Sequence, residues 1–317
     1  MSAVDSFLTA HRLRVWELLP FVVAIGAYFG FGDYLALGSQ VLIMILFALS
    51  LDLVLGYAGI VTLGHAAFFG AGAYAAGIYA VHVSSEPLSG LLAGAVAAGT
   101  IGLLSGLIIL RTTGLTLLML TLAIGSLLAE AANKASALTG GNDGLQGIEI
   151  DPILGLFRFD LFGRTAYLYC LIVLFASWAF VRWLVYSPFG RSLAGIRENS
   201  GRMHAIGAPV RRRQVIAYTI SAALAGVAGG LLAQTTQFVG LTTLGFERSG
   251  SIVIMLVLGG TGRLYGAFIG ATVYMIAQDR LSEIAPEFWN FWIGLLLVLT
   301  VLFARGGLLG LLDKVRR

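Results

Sequence analysis

Runs of about 20 apolar residues recur along almost the whole length of this chain, and they constrain its fold more than any other feature. A helix on a soluble protein keeps one polar face for water. These runs keep none, so most of their surface calls for lipid as its solvent. Inside a bilayer each backbone N–H and C=O must be satisfied within the chain, which a continuous helix achieves. Charged residues make up 11% of the chain, where about a quarter is usual for a soluble domain. Ten segments qualify: Val15–Phe31, Ser39–Gly56, Thr62–Val81, Leu88–Leu110, Leu115–Ala132, Thr165–Tyr186, Gln214–Gln234, Ser249–Gly259, Tyr265–Leu281 and Phe288–Ala304. The eighth is too short to cross unless it extends back through Leu244. Glycine interrupts several others, so the count lies between eight and ten. The expected fold is all-α, a single polytopic transmembrane helix bundle over residues 1–317 with no polar linker dividing it.

Lysine and arginine set the orientation of such a bundle. With the first residues placed inside and the segments alternating, fifteen of the 20 basic residues fall on the inner side. They are Arg12 and Arg14; Arg111; Arg182, Arg191, Arg197, Arg202, Arg211, Arg212 and Arg213; Arg263; and Arg305, Lys314, Arg316 and Arg317. Lys134, Arg158, Arg164, Arg248 and Arg280 fall outside. Both termini are therefore expected in the cytosol. The net charge of +4 follows from this topology and is not read as a nucleic-acid footprint. Cys170 is the one cysteine, which excludes an internal disulfide or a cysteine metal cluster and leaves a small buried hydrophobe. The first 20 residues lack a small-residue cleavage site after a basic start, so no removable signal peptide is expected.

Two connections are long. Residues 133–164 lie outside and contain the turn-forming run Thr139-Gly140-Gly141-Asn142-Asp143-Gly144. Residues 187–213 lie inside. There Leu193, Ile196, Met203 and Ile206 are spaced to share one side of a helix, with Pro188 before them and Gly207 and Pro209 after as stops. One or two short amphipathic helices at the membrane surface are expected. Two occupants suit them equally: lipid headgroups, with arginines on phosphates, or a groove on a soluble partner.

The 42 glycines gather in strings within the spans, such as Gly70-Ala71-Gly72-Ala73, Gly90 to Gly106 and Gly226 to Gly230. Small residues let helices approach closely in lipid. Glycines also break helices beside a substrate path, and Gly56-Tyr57-Ala58-Gly59 followed by Gly64-His65 is the best candidate for that. Asp52 and His65 flank the break. An ionisable residue at membrane depth is a candidate for substrate or proton handling. Local capping, or a pairing of the two with each other, fits them as well. Asp52, Gly56, Gly59, Gly64, His65 and Phe69 are the candidate path residues.

No enzyme constellation is present. The chain has no HExxH, Walker loop, Gly-x-Ser-x-Gly elbow or CxxC, and His11, His65, His82 and His204 are scattered. No catalytic residue, metal site or cofactor is expected in this chain. If transport is driven by ATP, another subunit binds the nucleotide.

Four stretches resemble the permeases of bacterial importers for branched-chain (hydrophobic) amino acids, in the LivM-like half of the paired permeases. The first runs from Leu49-Ser50-Leu51-Asp52 through Gly56-Tyr57-Ala58-Gly59 to Gly64-His65-Ala66-Ala67-Phe68-Phe69-Gly70 and Tyr74. The second is Leu138-Thr139-Gly140-Gly141-Asn142-Asp143-Gly144-Leu145. The third runs from Ser187-Pro188-Phe189-Gly190-Arg191 through Ile196-Arg197-Glu198-Asn199 to Ala205-Ile206-Gly207, and then over Ile220–Gly229. A weaker fourth is Leu258-Gly259-Gly260-Thr261-Gly262 with Gly266. They cover almost the whole chain in order.

The resemblance implies a multi-pass permease of the bacterial inner membrane, paired with a homologous second permease in a heterodimer. It further implies two cytosolic subunits that bind ATP and Mg, and a periplasmic solute-binding protein. Arg191, Ala194, Ile196, Arg197, Glu198, Asn199, Ala205 and Gly207, in the cytosolic loop 187–213, would then couple to the ATPase. Gly140, Gly141, Asn142, Asp143 and Gly144 would belong to the periplasmic loop 133–164. The run Ser200-Gly201-Arg202-Met203-His204 and the triplet Arg211-Arg212-Arg213 depart from many relatives and leave the cargo open, because the family also includes importers of urea, amides and aromatic or carboxylic acids. An ion-coupled secondary transporter is the alternative of another class, with Asp52 as its one strong intramembrane candidate.

Overall fold

A computed structural model describes residues 15–30, 32–152, 157, 163–284, 286–289, 291–295, 298 and 306–310. Among these residues the chain is built from helices, as the apolar runs require. They are α1 (Leu19–Gly30), α2 (Leu35–Asp52), α3 (Ala66–His82), α4 (Pro87–Ile109), α5 (Leu115–Lys134), α6 (Arg164–Tyr186), α7 (Pro188–Glu198), α8 (Ser200–Ala205), α9 (Val210–Thr236), α10 (Phe246–Gly259) and α11 (Gly266–Ile284). An isolated antiparallel bridge joins Leu145 to Val239. Five helices are long and apolar enough to cross a membrane: α2 with the π turn Leu53–Tyr57 that continues it, α4, α5, α6 and α9. The other segments read from the sequence form shorter or more polar helices. The tenth, Phe288–Ala304, is described in part, and residues 289, 291–295 and 298 in it are helical.

Several boundaries differ from the sequence reading. The third segment begins four residues late, at Ala66. Its first residues are spent on a non-helical turn, where the Leu63 N–H donates to Thr121 Oγ1 of α5 at 3.3 Å. A Cβ at Gly64 would lie 2.1 Å from the Thr121 carbonyl oxygen, so the close crossing with α5 demands glycine. The eighth segment starts earlier than Ser249. Gly245 precedes α10, and a 3-10 turn, Leu241–Leu244, leads into it. Arg248 is therefore not in a connection on the outer face but in the first turn of a helix.

The bundle is organised around α2, which is buried along most of its length and packs against α6, α9, α10 and α11. Beside it, α3, α4 and α9 form the closest-packed group, and glycine explains how. A Cβ on Gly72 would stand 2.3 Å from the Gly226 Cα, and one on Gly226 would stand 2.5 Å from the Gly94 carbonyl oxygen. At such spacing the three backbones touch, and attraction comes from many dispersion contacts between backbones rather than from interlocking side chains.

Polar contacts then fix the register. Gln234 is buried near the end of α9. Its Nε2 donates to the Pro87 carbonyl at the start of α4 (2.7 Å), and its Oε1 accepts from the Tyr169 hydroxyl of α6 (3.0 Å). Gln234→Leu strands both partners in an apolar site. It is expected to cost about 1–2 kcal/mol and to lower the melting temperature of the detergent-solubilised protein by several degrees, without change of fold.

One end of the bundle carries residues 133–152. Thr139 Oγ1 donates to the Ala132 carbonyl at 2.6 Å, and Leu145 pairs with Val239 just beyond α9. Leu145, Ile148 and Val239 join Ala73, Tyr74, Ala80 and Ala233 in a second, smaller core over the ends of α3 and α9. At the opposite end α6 runs through Ser187 into α7. Arg182, in the last turns of α6, donates from Nε to Glu17 Oε2 at 2.7 Å, which brings the chain ahead of α1 to this end. Gly306 and Gly307 also lie here, against Gly260 between α10 and α11.

Candidate functional site

The sequence 187–207 folds into two short helices because each has its own start signal. Ser187 caps α7 by accepting from the Gly190 N–H (3.4 Å), with Pro188 in the first turn where its missing N–H costs nothing. Gly190 lets α7 turn tightly off α6, since a Cβ there would sit 2.1 Å from the Val185 carbonyl oxygen. Asn199 ends α7 and caps α8, its Oδ1 accepting from the Arg202 N–H at 2.9 Å. That break divides the apolar stripe expected from the sequence. Leu193 and Ile196 enter the core and Met203 is half-buried, but Ile206 is 71% exposed. The outer surface of this region carries Arg191, Ala194, Glu198, Ala205, Ile206 and Gly207.

Arg197 reaches from α7 to the break in α2. Its Nη1 donates to the Gly56 carbonyl in the π turn, one of the carbonyls that the ending helix leaves without an internal donor. π turns of this kind frequently mark functional sites. The Arg197 side chain passes between two glycines held at positive φ, Gly59 (+71°) and Gly262 (+75°). A Cβ on Gly59 would stand 3.0 Å from Arg197 Cγ, and one on Gly262 would stand 2.5 Å from Nη1. On the other side of Gly56, the Gly262 N–H donates to Asp52 Oδ1 at 2.7 Å. Gly56 has no room for a side chain, because its Cβ would lie 2.0 Å from that same oxygen. The α7 helix, the end of α2 and the α10–α11 turn thus close on one another through Arg197, Gly56, Gly262 and Asp52.

This geometry joins two groups of residues that the sequence kept apart: Arg197 from the inner loop, and Asp52, Gly56 and Gly59 from the helix break. Gly262 was missed as a site residue. Its signal was the Gly259-Gly260-Thr261-Gly262 string between two apolar runs. Asp52 and His65 are not partners. Asp52 binds Gly262, while His65 Nε2 lies 3.0 Å from Ser50 Oγ and its ring stacks on Phe47 at 5.6 Å. The Ser50 hydroxyl also reaches the Phe47 carbonyl (2.7 Å), and the Ser50 carbonyl accepts from Ser221 of α9. Phe69 packs on Phe47 at 4.5 Å. Asp52, Gly56, Gly64, His65 and Phe69 are all buried within this chain, and Gly59 alone of the six is exposed.

At the far end, Gly144 packs against Phe238 and the Val239 carbonyl, and Gly140 packs against the Gly144 carbonyl. Gly141 is buried, while Asn142 and Asp143 point outward. Glu86, Asp143, Glu149 and Asp151 are exposed on the same end. Among the described residues no group of acids, histidines and cysteines could hold a metal ion.

Residues 34–301 match the family described as the branched-chain amino acid transport system permease component. The chain is 26% identical, over 98% of its length and 77% of the relative's, to the high-affinity branched-chain amino acid transport system permease protein LivM of Escherichia coli K12. It is 31% identical to the autoinducer 2 import system permease protein LsrC of Enterobacter sp. 638, over 46% of this chain and 43% of the relative. It is 26% identical to the L-arabinose ABC transporter permease protein AraH of Azospirillum brasilense, over 68% and 63%. No solved structure matches the chain. A bundle with this helical plan, matched over most of its length, belongs to the family of branched-chain amino acid transport system permease components.

Proposed function

We propose that this permease carries branched-chain or other hydrophobic amino acids inward, after a periplasmic binding protein delivers them to the end bearing residues 133–152. Two cytosolic subunits that bind ATP and Mg drive the cycle from the opposite end, and a homologous second permease completes the path. Asp52, Gly56, Gly59, Gly64, His65 and Phe69 belong to the moving part of that path. In this reading the chain crosses the bacterial inner membrane about ten times and both its termini are cytosolic. The approach of the segments around Glu17 and Gly306 to the α7 end supports one side for both termini.

The observation that carries the proposal is the attachment of Arg197 to the α2 break. A force applied to the outer surface of α7 and α8 reaches the buried central helix through a few atoms. Exposed Ile206 and Ala205 beside Glu198 and Arg202 have the mixed chemistry that fits a groove on a soluble protein. The family's ATP-driven transport favours that occupant over lipid headgroups.

The test is reconstitution with the second permease, ATPase subunits and receptor in vesicles, followed by uptake of labelled leucine. L-arabinose, autoinducer 2, urea, an amide and an aromatic acid serve as competing cargoes, the first two named by relatives. Leucine uptake that needs ATP supports the reading. Uptake by the chain alone, driven by a proton gradient without ATP, overturns it in favour of a secondary transporter. Ala194→Pro interrupts α7 and is expected to abolish uptake while receptor binding of leucine is unchanged, because proline breaks a helix interior at a cost of about 3 kcal/mol.

A further inference from the structure

The charged first turn of α10 lies at membrane depth. Two helix lengths, taken at the usual rise per residue, place it there. The Ala66 N–H donates to Ser249 Oγ at 3.0 Å, so this turn sits level with the start of α3. From Ala66, α3 climbs to His82 beside the outer turn, about 24 Å away at the usual helical rise. From Arg248, α10 runs to Gly259 and the Gly260–Gly262 turn that Asp52 holds, about 16 Å in the other direction. Within a hydrocarbon layer of about 30 Å, Glu247 and Arg248 are far from both faces.

Neither charge is neutralised among the described residues. Glu247 is exposed, and its side chain has no hydrogen bond or ion pair among the described residues. Arg248 is half-buried, with the Tyr274 hydroxyl near it, and its side chain too has no hydrogen bond or ion pair among the described residues. The surroundings are polar as well. The Ser251 hydroxyl donates to the Glu247 carbonyl (2.9 Å), and the Tyr274 hydroxyl donates to Ser251 Oγ (3.3 Å). Uncompensated charges in lipid are costly, and such residues ordinarily face a path or a partner.

We infer that Glu247 and Arg248 are the solute-binding pair of the translocation path and that they take the two charges of an amino-acid zwitterion. The guanidinium of Arg248 receives the α-carboxylate through two parallel N–H donors, and the Glu247 carboxylate accepts from the α-ammonium. The exposed Phe246 at the head of the same turn leaves an apolar surface for the side chain of the solute. This rests on the amino-acid cargo proposed above. It puts contact with the solute at Glu247 and Arg248, while the buried Asp52 and His65 belong to the helices that move around it.

The test uses the assembled importer in ATP-loaded vesicles with leucine-charged receptor. Arg248→Gln is expected to lower leucine uptake about 10- to 100-fold, the loss of a charge-assisted contact. The affinity of the receptor for leucine and the association of the two permeases should be unchanged, and receptor-stimulated ATP hydrolysis should persist. Arg248→Lys should recover part of the uptake, and Glu247→Gln should lower it about 10-fold. Wild-type uptake by Arg248→Gln overturns the assignment. So does failure of that variant to co-purify with the second permease, which would make Arg248 an inter-permease contact. A wild-type complex that carries L-arabinose but no leucine overturns the cargo reading, and the zwitterion site with it. Leucine uptake by the wild type and the variants alike overturns the site alone.

Discussion

Arg197→Glu is expected to reduce ATP-driven uptake by about 100-fold or more while the receptor still captures its solute. The substitution removes the donor to the Gly56 carbonyl and brings a second carboxylate toward Asp52, which now faces a positive charge. Losing a hydrogen bond from a charged donor costs about 1.5–3 kcal/mol, and repulsion from the new carboxylate adds to it, enough for an effect of that size if the contact is formed during transport. ATP hydrolysis is expected to continue, because the Arg197 guanidinium is turned onto Gly56 of α2 and its loss leaves the outer surface of α7 intact. The diagnostic quantity is therefore the number of ATP molecules hydrolysed per solute moved, which should rise steeply. Arg197→Lys keeps the charge and one donor and should give an intermediate ratio. Unchanged uptake by Arg197→Glu would show that the drive reaches α2 by another route.

The second large effect is expected at Gly226→Val. The added Cβ would stand 2.5 Å from both the Gly94 carbonyl oxygen and the Ala98 Cβ. No rotamer relieves a clash with backbone, so α3, α4 and α9 must separate. Overpacking alone costs about 1–3 kcal/mol, and separation also forfeits the contacts at Gly72 and Gly94. The expected outcome is loss of monodisperse protein in detergent and a melting temperature lowered beyond measurement. Gly250→Ala is the control: its Cβ enters open space, and the variant should purify and melt like the wild type. Equal behaviour of the two would remove glycine-mediated packing from the account.

Much of the fold was legible because lipid imposes a simple demand. Each apolar run had to become a helix, and all ten segments include helical residues among those described. Helix ends were less legible. Ala66 begins its helix where distant hydroxyls take over hydrogen bonds, Thr121 Oγ1 from the Leu63 N–H and Ser249 Oγ from the Ala66 N–H, and no local pattern announces that. The inner loop was read as helical for sound reasons, yet Ile206 was assigned to the wrong face. The spacing puts Ile206 on one side with Leu193, Ile196 and Met203 only in a continuous helix, and the Asn199 cap breaks the phase.

The candidate site divides along the same line. Asp52, the Gly56–Gly59 break and Arg197 could be picked out by residue type, since a charge or a glycine pair within an apolar chain is conspicuous. Their convergence could not be foreseen. Gly56 and Arg197 are 141 residues apart, and Asp52 and Gly262 are 210 apart. Arg248 was placed with the outer charges because charge counting assigns whole connections to one side, and only the depth of α10 moves it inward.

By itself, the sequence determined that this protein is a helical membrane bundle with a basic helical loop between two of its apolar runs. Those properties follow from the sum of many residues, each contributing little and none depending on its neighbours in space. Tertiary structure alone decided that the inner loop is fastened to the broken central helix, that Asp52 and His65 serve different partners, and that Glu247 and Arg248, with no ion pair among the described residues, stand at mid-depth. Each of these rests on contacts between segments far apart in the chain, and such contacts are set by packing rather than by composition.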